Sequence, residues 1–520
     1  MLVSDEFGHC PVDHVSAGGV QRVLIVGGGT AGWMAASFLS QAVGPQVRIQ
    51  LVESEEIGIV GVGEATIPPI IQFNAALGID EDEFVRQTQA TFKLGIQFRN
   101  WGHLGHEYVH GFGSIGHTTG LVDFHHYWLK EYQAGRVGPM EDYSINLLSC
   151  VHNKFMRATT RYPDSPLADI GHAFHFDASL YAKYLRGYAE KNGVLRTEGR
   201  IASVQQHPET GFVTSVAMEN GDVHAADLFI DCSGFRSLLL GQALGVGFED
   251  WSHWLPCNRA LAVPCESVSP LTPYTRSTAH ASGWQWRIPL QHRTGNGHVY
   301  CSDYISDDEA ADVLLRNLDG KPLATPRALR FTAGRRHRFW ERNVIALGLA
   351  GGFLEPLEST SIHLIQKGIT RLAAFFPSRD FPAADIDEFN RQSRVEYEQI
   401  RDFIILHYCA STRDDSGFWN YCRTMPIPAS LQEKIDLFRA NGRIFRTNNE
   451  LFAEVSWFQV MFGQGIHPEG YHPLVDAKSP EAVQAMVADV KRVMHGVVAQ
   501  MPTHEQFIDK YCKAPPLPAM

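Results

Sequence analysis

Short apolar runs and periodic apolar positions along this chain predict alternating strands and helices. Residues 23–26 form a fully apolar run of the kind found in buried parallel strands, and residues 47–52 form a second strand. Between them, residues 33–43 have the pattern of a helix. Much later, apolar residues recur at the helical period over residues 362–372, until Pro377 ends the pattern. This alternation predicts an α/β fold.

A glycine-rich turn joins the first strand to the first helix. Residues 27–32, GGGTAG, fit the GxGxxG fingerprint in the strand–turn–helix context that gives it meaning. Gly27 permits the tight turn, Gly29 lets a pyrophosphate approach the backbone, and Gly32 allows close packing of helix on strand. The helix start supplies N–H groups to the phosphates, and Glu53, after the second strand, would accept hydrogen bonds from ribose. The pattern predicts a dinucleotide site.

Two later segments favour FAD over NAD as this dinucleotide. Residues 227–234 and 343–352 each have the pattern of a strand that runs into a turn of small residues. Flavoproteins of the two-dinucleotide-domain type return to the cofactor at such points. The sequence also contains no second clear strand–turn–helix unit for NAD(P)H.

Residues 103–117, HLGHEYVHGFGSIGH, contain two further signatures, which we reject. Residues 106–110 fit the HExxH pattern of zinc peptidases, but glycines on both sides disfavour the helix that this zinc site needs. Residues 111–116 fit GxGxxG without a clean strand–turn–helix unit around them. We therefore predict no metal site, and we interpret His110 and Phe112 as the lining of a pocket.

The composition is that of an ordinary globular protein and argues against several functional classes. Hydrophobic residues make up 44% and charged residues 20%, and the formal net charge is −12 without a run of basic residues, which disfavours nucleic-acid binding. Nine scattered cysteines without a CxxC pair fit reduced thiols. No apolar stretch resembles a secretory signal or a membrane span. We expect a cytoplasmic protein with a flexible leader over residues 1–20.

Several motifs in the same order make the chain resemble the flavin-dependent tryptophan halogenases from about residue 22 to beyond residue 420. The motifs are GGGTAGWMAA (27–36), GVGEATIP (61–68), HAFHFDA (172–178), GWQWRIP (283–289), FLEPLEST (353–360) and STRDDSGFW (411–419). The resemblance implies FAD used as FADH2, O2, and chloride or bromide. It also implies a separate NAD(P)H-dependent flavin reductase, a small indolic substrate and a homodimer.

The resemblance makes Lys93 and Glu358 the catalytic pair. The lysine would polarise hypohalous acid or carry halogen as a haloamine, and the carboxylate would orient the electrophile and stabilise, or deprotonate, the cationic arene. From the residues alone, extension of Lys93 to water is favoured over burial, and Glu358 could compensate a helix dipole; the resemblance reverses the expectation for Lys93. Ser359 or Thr360 is a natural N-cap for the helix that follows, and the backbone amides of Thr360 and Ser361 at its start would bind halide. The family commonly has glycine at position 361.

The remaining predicted site residues are aromatic or line the cofactor. Trp284 and Trp286 alternate along a strand; the resemblance implies that they keep the arene from the flavin, whereas spacing alone fits a sheet core equally well. His110 and Phe112 would flank the indole ring, Phe112 by stacking. The family's tyrosine-rich lid is shortened here, and Trp457 and Phe458 stand at its place, so we expect a substrate other than free tryptophan. The other predicted cofactor contacts are Thr30, Ala31, Ala65, Ile201, Leu349 and Ile362.

These predictions combine into one architecture and one activity. An α/β, Rossmann-type FAD-binding unit with mixed sheets in two or three layers is expected over residues 21–110 and 171–380. A mostly helical substrate-binding unit is expected over residues 111–170 and 381–520. The predicted activity is halogenation of an indole or another electron-rich arene by hypohalous acid guided to Lys93. The alternatives are a flavin-dependent aromatic monooxygenase and a non-catalytic flavin- or indole-binding protein.

Overall fold

The computed structural model describes residues 19–56, 63–117 and 120–517. The predicted flexible leader, residues 1–20, lies outside these ranges apart from its last two residues. Gly19 forms a β-bridge with Ser378, and Val20 is buried.

A six-stranded, mainly parallel sheet holds the glycine-rich turn at the carboxyl end of one central strand. In spatial order its strands are Trp340–Glu341, Val344–Ala346, Leu228–Asp231, Arg22–Val26, Arg48–Glu53 and Leu195–Glu198. Only the first two of these strands pair antiparallel. The helix after the turn is Thr30–Ala42, which begins three residues before the predicted start because Thr30, Ala31 and Gly32 hide the apolar period in its first turn.

A seven-stranded mixed sheet stands beside the first and carries both tryptophans of the GWQWRIP motif. Its strands, in spatial order, are Arg327–Arg330, Arg259–Cys265, Thr294–Tyr300, Gly283–Pro289, Tyr274–His280, Gly95–Arg99 and Glu107–Gly111. All neighbours are antiparallel except Gly95–Arg99 with Tyr274–His280. The strand Gly283–Pro289 is buried along its whole length.

Three small three-stranded sheets complete the β-structure, and one of them carries Lys93. That sheet has the order Gly63–Ala65, Ala173–Asp177, Thr91–Lys93 and is antiparallel. The other two consist of Ile201–Gln206, Val213–Met218 and Val223–Ala225, and of Phe248–Asp250, Gly334–Arg336 and Gly352–Phe353.

Helices cover the sheets and make up most of the last third of the described chain. They are Thr30–Ala42, Pro69–Ala76, Glu81–Gln87, Phe124–Gln133, Ile145–Val151, Ala178–Lys191, Asp307–Arg316, Ser361–Ala374, Ala383–Cys409, Gly417–Thr424, Ala429–Asn441, Glu454–Gly463, Pro480–Gln500 and His504–Tyr511. Within residues 354–517 the sheets have no strand. The predicted α/β class with mixed sheets is confirmed. The division into two units stays a prediction, because one continuous hydrophobic core includes residues from both.

A search of residues 19–56, 63–117 and 120–517 finds no helix with the length and apolar character needed to cross a membrane.

Candidate active site

A cavity of about 1360 Å³ opens along the carboxyl edge of the six-stranded sheet. The predicted cofactor residues that line it are Gly27, Gly29, Thr30, Ala31, Glu53, Ala65, Ile201, Leu349 and Ile362. Gly32 is not among the lining residues, because it packs the helix onto the turn: a Cβ there would lie 1.9 Å from the carbonyl oxygen of Gly27. We call this space the flavin cavity from here on. Its volume exceeds the roughly 300–1000 Å³ of most small-ligand sites, as an extended dinucleotide requires.

The turn itself fits a dinucleotide. Gly27 has φ +111°, which favours glycine, and a Cβ there would lie 2.3 Å from the carbonyl oxygen of Cys232. A Cβ on Gly29 would meet no atom within 4 Å, so the backbone at this point is open to the cavity. Glu53 also lines the cavity, where Arg196 Nε donates to its Oε1 at 2.5 Å. Open backbone, helix start and carboxylate are the three features that FAD needs here.

A second cavity of about 760 Å³ has aromatic and acidic walls, and we call it the arene cavity. His110, Phe112 and Phe458 line it, and so does Glu358. Trp457 does not: its ring packs edge-on against Phe403, with centroids 4.8 Å apart, behind the cavity wall. The structure therefore brings three of the four predicted substrate residues together.

The stretch that carries the zinc and nucleotide signatures is not helical. Glu107–Gly111 is an edge strand of the seven-stranded sheet, which places His110 on the arene cavity. Residues 112–117 follow without regular structure. In the described part of the chain, no group of three or more His, Cys, Asp or Glu side chains is placed to hold a metal ion.

Lys93 lies between the two cavities and is fully buried. Its Nζ donates to the carbonyl oxygen of Thr66 at 2.9 Å and to Ser359 Oγ at 2.8 Å. Ser359 lines the flavin cavity. Burial lowers the pKa of Lys93 to about 7, although the nearby carboxylate of Glu358 opposes the fall. The amine therefore exists in both protonation states near neutral pH, and the side chain does not extend to water.

Glu358 is buried between two histidines. His110 Nδ1 donates to Oε2 at 2.9 Å. His407 Nε2 lies 2.8 Å from Oε1, although the geometry is unsuited to a straight hydrogen bond. Burial acts to raise the pKa of Glu358, but His110 and His407 together lower it to about 2. Glu358 is thus a carboxylate throughout the neutral range.

The loop before the helix Ser361–Ala374 is strained at the residue that accepts a hydrogen bond from Lys93. Ser359 has φ +58°, a left-handed conformation that costs a non-glycine residue about 1–2 kcal/mol. The helix begins at Ser361 with Thr360 as N-cap and without a side-chain cap bond. Of the two predicted N-cap residues, Thr360 holds the position. The other, Ser359, accepts a hydrogen bond from Lys93 through its Oγ.

The start of this helix faces the flavin cavity. Ser361 and Ile362 line it, and Thr360 lies just behind, fully buried and with its Oγ1 unpaired. Halide binding by the amides of Thr360 and Ser361 stays a prediction, and it has the helix terminus that it requires.

The two tryptophans of the GWQWRIP motif have different surroundings. Trp286 lines the flavin cavity, whereas Trp284 lies behind it, with ring centroids 6.1 Å apart. Trp284 Nε1 donates to Glu355 Oε2 at 2.9 Å, and the Tyr408 hydroxyl donates to the same oxygen at 2.5 Å. Burial raises the pKa of Glu355 to about 7. Of the predicted shielding pair, only Trp286 faces the flavin cavity.

Comparison with known proteins identifies the family. Residues 22–480 match the sequence model of the family described as tryptophan halogenase. The chain belongs to the tryptophan halogenase family. This halogenase is similar to the solved structure of Xcc4156, a flavin-dependent halogenase from Xanthomonas campestris, with 49% identity, a TM-score of 0.93, and 96% of this chain and 100% of that one covered. It is also similar to BrvH, a flavin-dependent halogenase from Brevundimonas sp. BAL3 (45% identity, TM-score 0.91, 95% and 99% covered).

A curated relative of the halogenase is the tryptophan 7-halogenase KtzQ of Kutzneria sp. (strain 744), 34% identical, with 94% of this chain and 98% of the relative covered. These matches confirm the predicted family, and with it the flavin-dependent halogenase as the type of enzyme. Membership implies FAD and halide as its cofactors.

Sequence reasoning missed three partners of the predicted catalytic pair, Lys93 and Glu358. They are the carbonyl oxygen of Thr66, the Ser359 hydroxyl and His407. Ser359 was visible only as a possible N-cap. His407 lies 49 residues beyond Glu358 in the helix Ala383–Cys409, and no local pattern marks it.

Proposed function

We propose that this halogenase uses FADH2, O2 and chloride or bromide to halogenate an electron-rich arene, such as an indole without a carboxylate. The position of the catalytic pair carries the proposal. Ser359, which accepts a hydrogen bond from Lys93, lines the flavin cavity, and its neighbour Glu358 lines the arene cavity. Glu358 and Ser359 therefore lie between the flavin cavity, where halide is oxidised, and the arene cavity, where the ring is substituted. Lys93 lies between the same two cavities.

When bound, FAD supplies the oxidation of halide to hypohalous acid. The protein's own part begins at Lys93, whose buried amine holds this oxidant by hydrogen bond or as a haloamine. His110 and Phe112 hold the arene, and Phe112 lies 5.4 Å from the Lys93 amine, measured to its ring centroid. Glu358, ionised by its two histidines, stabilises the positive charge that develops on the ring or takes the ring proton. Holding the ring at a fixed orientation selects the position of substitution by geometry.

The charges of the arene cavity argue for a substrate without a carboxylate. The acidic residues that line it are Asp123, Glu358 and Glu454, and its described lining includes no lysine or arginine. A free amino acid would therefore bring its carboxylate towards negative charge without a cation to meet it. This supports a neutral or amine-bearing arene over free tryptophan.

The decisive experiment combines the protein with FAD, an NAD(P)H-dependent flavin reductase and an indole, with and without bromide. We expect a product in which one bromine replaces one hydrogen of the indole, and it should form only when bromide is present. A product that gains oxygen without halide would establish the monooxygenase alternative. No turnover with any electron-rich arene, despite FAD binding, would favour the non-catalytic alternative.

A second experiment tests the substrate class. Indole, tryptamine, indole-3-propionate and tryptophan should be compared at equal concentration. We expect the carboxylate-bearing compounds to have values of kcat/KM at least about tenfold lower, because their charge is unmatched in the cavity. Preference for tryptophan would contradict this.

The homodimer that the family resemblance implies is tested by sedimentation of the same preparation.

A further inference from the structure

A chain of buried hydrogen bonds connects the strand of Lys93 to the wall of the flavin cavity. Thr91 Oγ1 lies 2.7 Å from the carbonyl oxygen of Pro289 and 3.0 Å from His175 Nδ1. On the other side of the ring, His175 Nε2 lies 2.9 Å from Thr275 Oγ1. Thr275 lines the flavin cavity, and its side chain and the other two are buried.

Each hydrogen bond from Pro289 to Thr275 can have only one donor, so the direction of the whole series is fixed. The Pro289 carbonyl accepts only, so the Thr91 hydroxyl donates to it. Thr91 then accepts from His175, which places the ring proton on Nδ1. A neutral imidazole with its proton on Nδ1 accepts at Nε2, so the Thr275 hydroxyl must donate its proton to His175.

The surroundings of His175 keep its ring neutral. The side chain is fully buried in the middle strand of its small sheet, paired with Thr91 on one side and Ala65 on the other. Burial lowers the pKa of His175 well below its usual value, and the charges of Lys93, His504 and Arg287 act in the same direction. A second ring proton, which would break the assignment, is therefore excluded near neutral pH.

We propose that Thr275 presents only hydrogen-bond acceptor capacity to the flavin cavity, where it binds an N–H or O–H group, and that His175 is the positioning residue that imposes this. The inference rests on the proposed function, because that function supplies two donors of this kind: a ring N–H of the flavin, and the O–H of hypohalous acid on its way to Lys93. In a strand, alternate side chains share a face, so Thr91 and Lys93 project from the same side of their strand.

The test uses Thr275→Val, which keeps the shape without the oxygen, and Thr275→Ser, which keeps the hydroxyl. The affinity of each purified variant for FAD, and anaerobically for FADH2, is measured by fluorescence titration. If a flavin N–H is the donor, the valine variant should bind one or both forms about threefold to tenfold more weakly than the serine variant. Weakening for FADH2 alone would identify an N–H that only the reduced ring carries.

If hypohalous acid is the donor, both variants should bind flavin alike. During turnover with bromide, the valine variant should then lose a larger share of its oxidant to a diffusible β-diketone scavenger, while the serine variant behaves as the wild type. Equal flavin affinity together with equal escape in both variants would overturn the inference. A wild-type protein that binds FAD but never halogenates would instead remove the proposed function, and the affinity comparison would still stand.

His175→Phe separates positioning from mere packing. Without an acceptor on residue 175, the Thr275 hydroxyl is free to turn its proton to the cavity. Because the freed hydroxyl can still accept, we expect an affinity or escape defect in the same direction as that of Thr275→Val but no larger, and a double variant no worse than Thr275→Val, since both changes act on one hydrogen bond. A packing role alone would lower Tm of His175→Phe without changing the flavin affinities or the escape of oxidant.

Discussion

Replacing Lys93 by methionine should show how far burial of the amine lowers the free energy of unfolding of the wild type. The lysine pKa falls from 10.5 to about 7 on folding, so the unfolded chain binds more protons than the folded one between these values. The free energy of unfolding must therefore rise with pH across this interval. Methionine has similar length and apolar character, and it removes the titrating group.

The size of the effect follows from the two pKa values. At pH 7 the unfolded lysine is fully charged and the folded one is half charged, which disfavours folding by about 4 kcal/mol; at pH 9 the same linkage gives about 2 kcal/mol. Loss of the hydrogen bonds to Thr66 and Ser359 costs roughly 1–3 kcal/mol each in the variant, independently of pH. The difference in unfolding free energy, variant minus wild type, should thus fall by about 2 kcal/mol from pH 7 to pH 9.

The assay is urea unfolding of both proteins at pH 7, 8 and 9. In the difference between their free energies of unfolding, the titration of every group that the substitution leaves unaffected cancels. Glu358 does not titrate in this range because its pKa is about 2. Lys191→Met, at an exposed position, is the matched control and should give a pH-independent difference. If Lys93→Met also gives a constant difference, the amine is not desolvated as described. Halogenation should be lost in Lys93→Met and kept in the control.

Three further predictions concern the cofactor turn, the carboxylate and the buried tryptophan. Gly29→Ala should weaken FAD binding without lowering Tm of the FAD-free protein, whereas Gly32→Ala should lower both, since its Cβ would lie 1.9 Å from a backbone oxygen; equal effects on Tm would contradict this. Glu358→Gln should reduce the halogenation kcat at least about 100-fold with unchanged FAD affinity, and a near-normal kcat would remove the carboxylate from the chemistry. Trp284→Phe deletes one of the two hydrogen bonds to Glu355 Oε2 and should lower the unfolding free energy by about 1–3 kcal/mol in urea; no loss would show that this bond contributes nothing.

Local patterns were sufficient wherever neighbouring residues decide the conformation. The turn at residues 27–32 could be recognised because an apolar strand, three glycines and a helix follow each other within a short stretch. The strand of the GWQWRIP motif and the helix over residues 361–374 were predictable for the same reason. Their apolar residues recur at the strand or helix period within one short segment of the chain. The family resemblance depended on such contiguous motifs too.

The environment of each side chain depended on segments far apart in sequence. Lys93 among apolar neighbours fitted both burial and extension to water; Ser359, 266 residues away, and the Thr66 carbonyl make it a buried amine. Trp457 and Phe458 are adjacent, yet only Phe458 reaches the arene cavity.

By itself, the sequence determined the nucleotide-binding turn, the main strands and helices, and the family, because these depend on residue order over short distances. The tertiary structure alone decided the pKa values of Lys93 and Glu358, the contact of His407 with Glu358 and the direction of the hydrogen bonds through His175. The physical reason is that desolvation and hydrogen-bond partners arise only when strands and helices from distant parts of the chain pack around a side chain and exclude water.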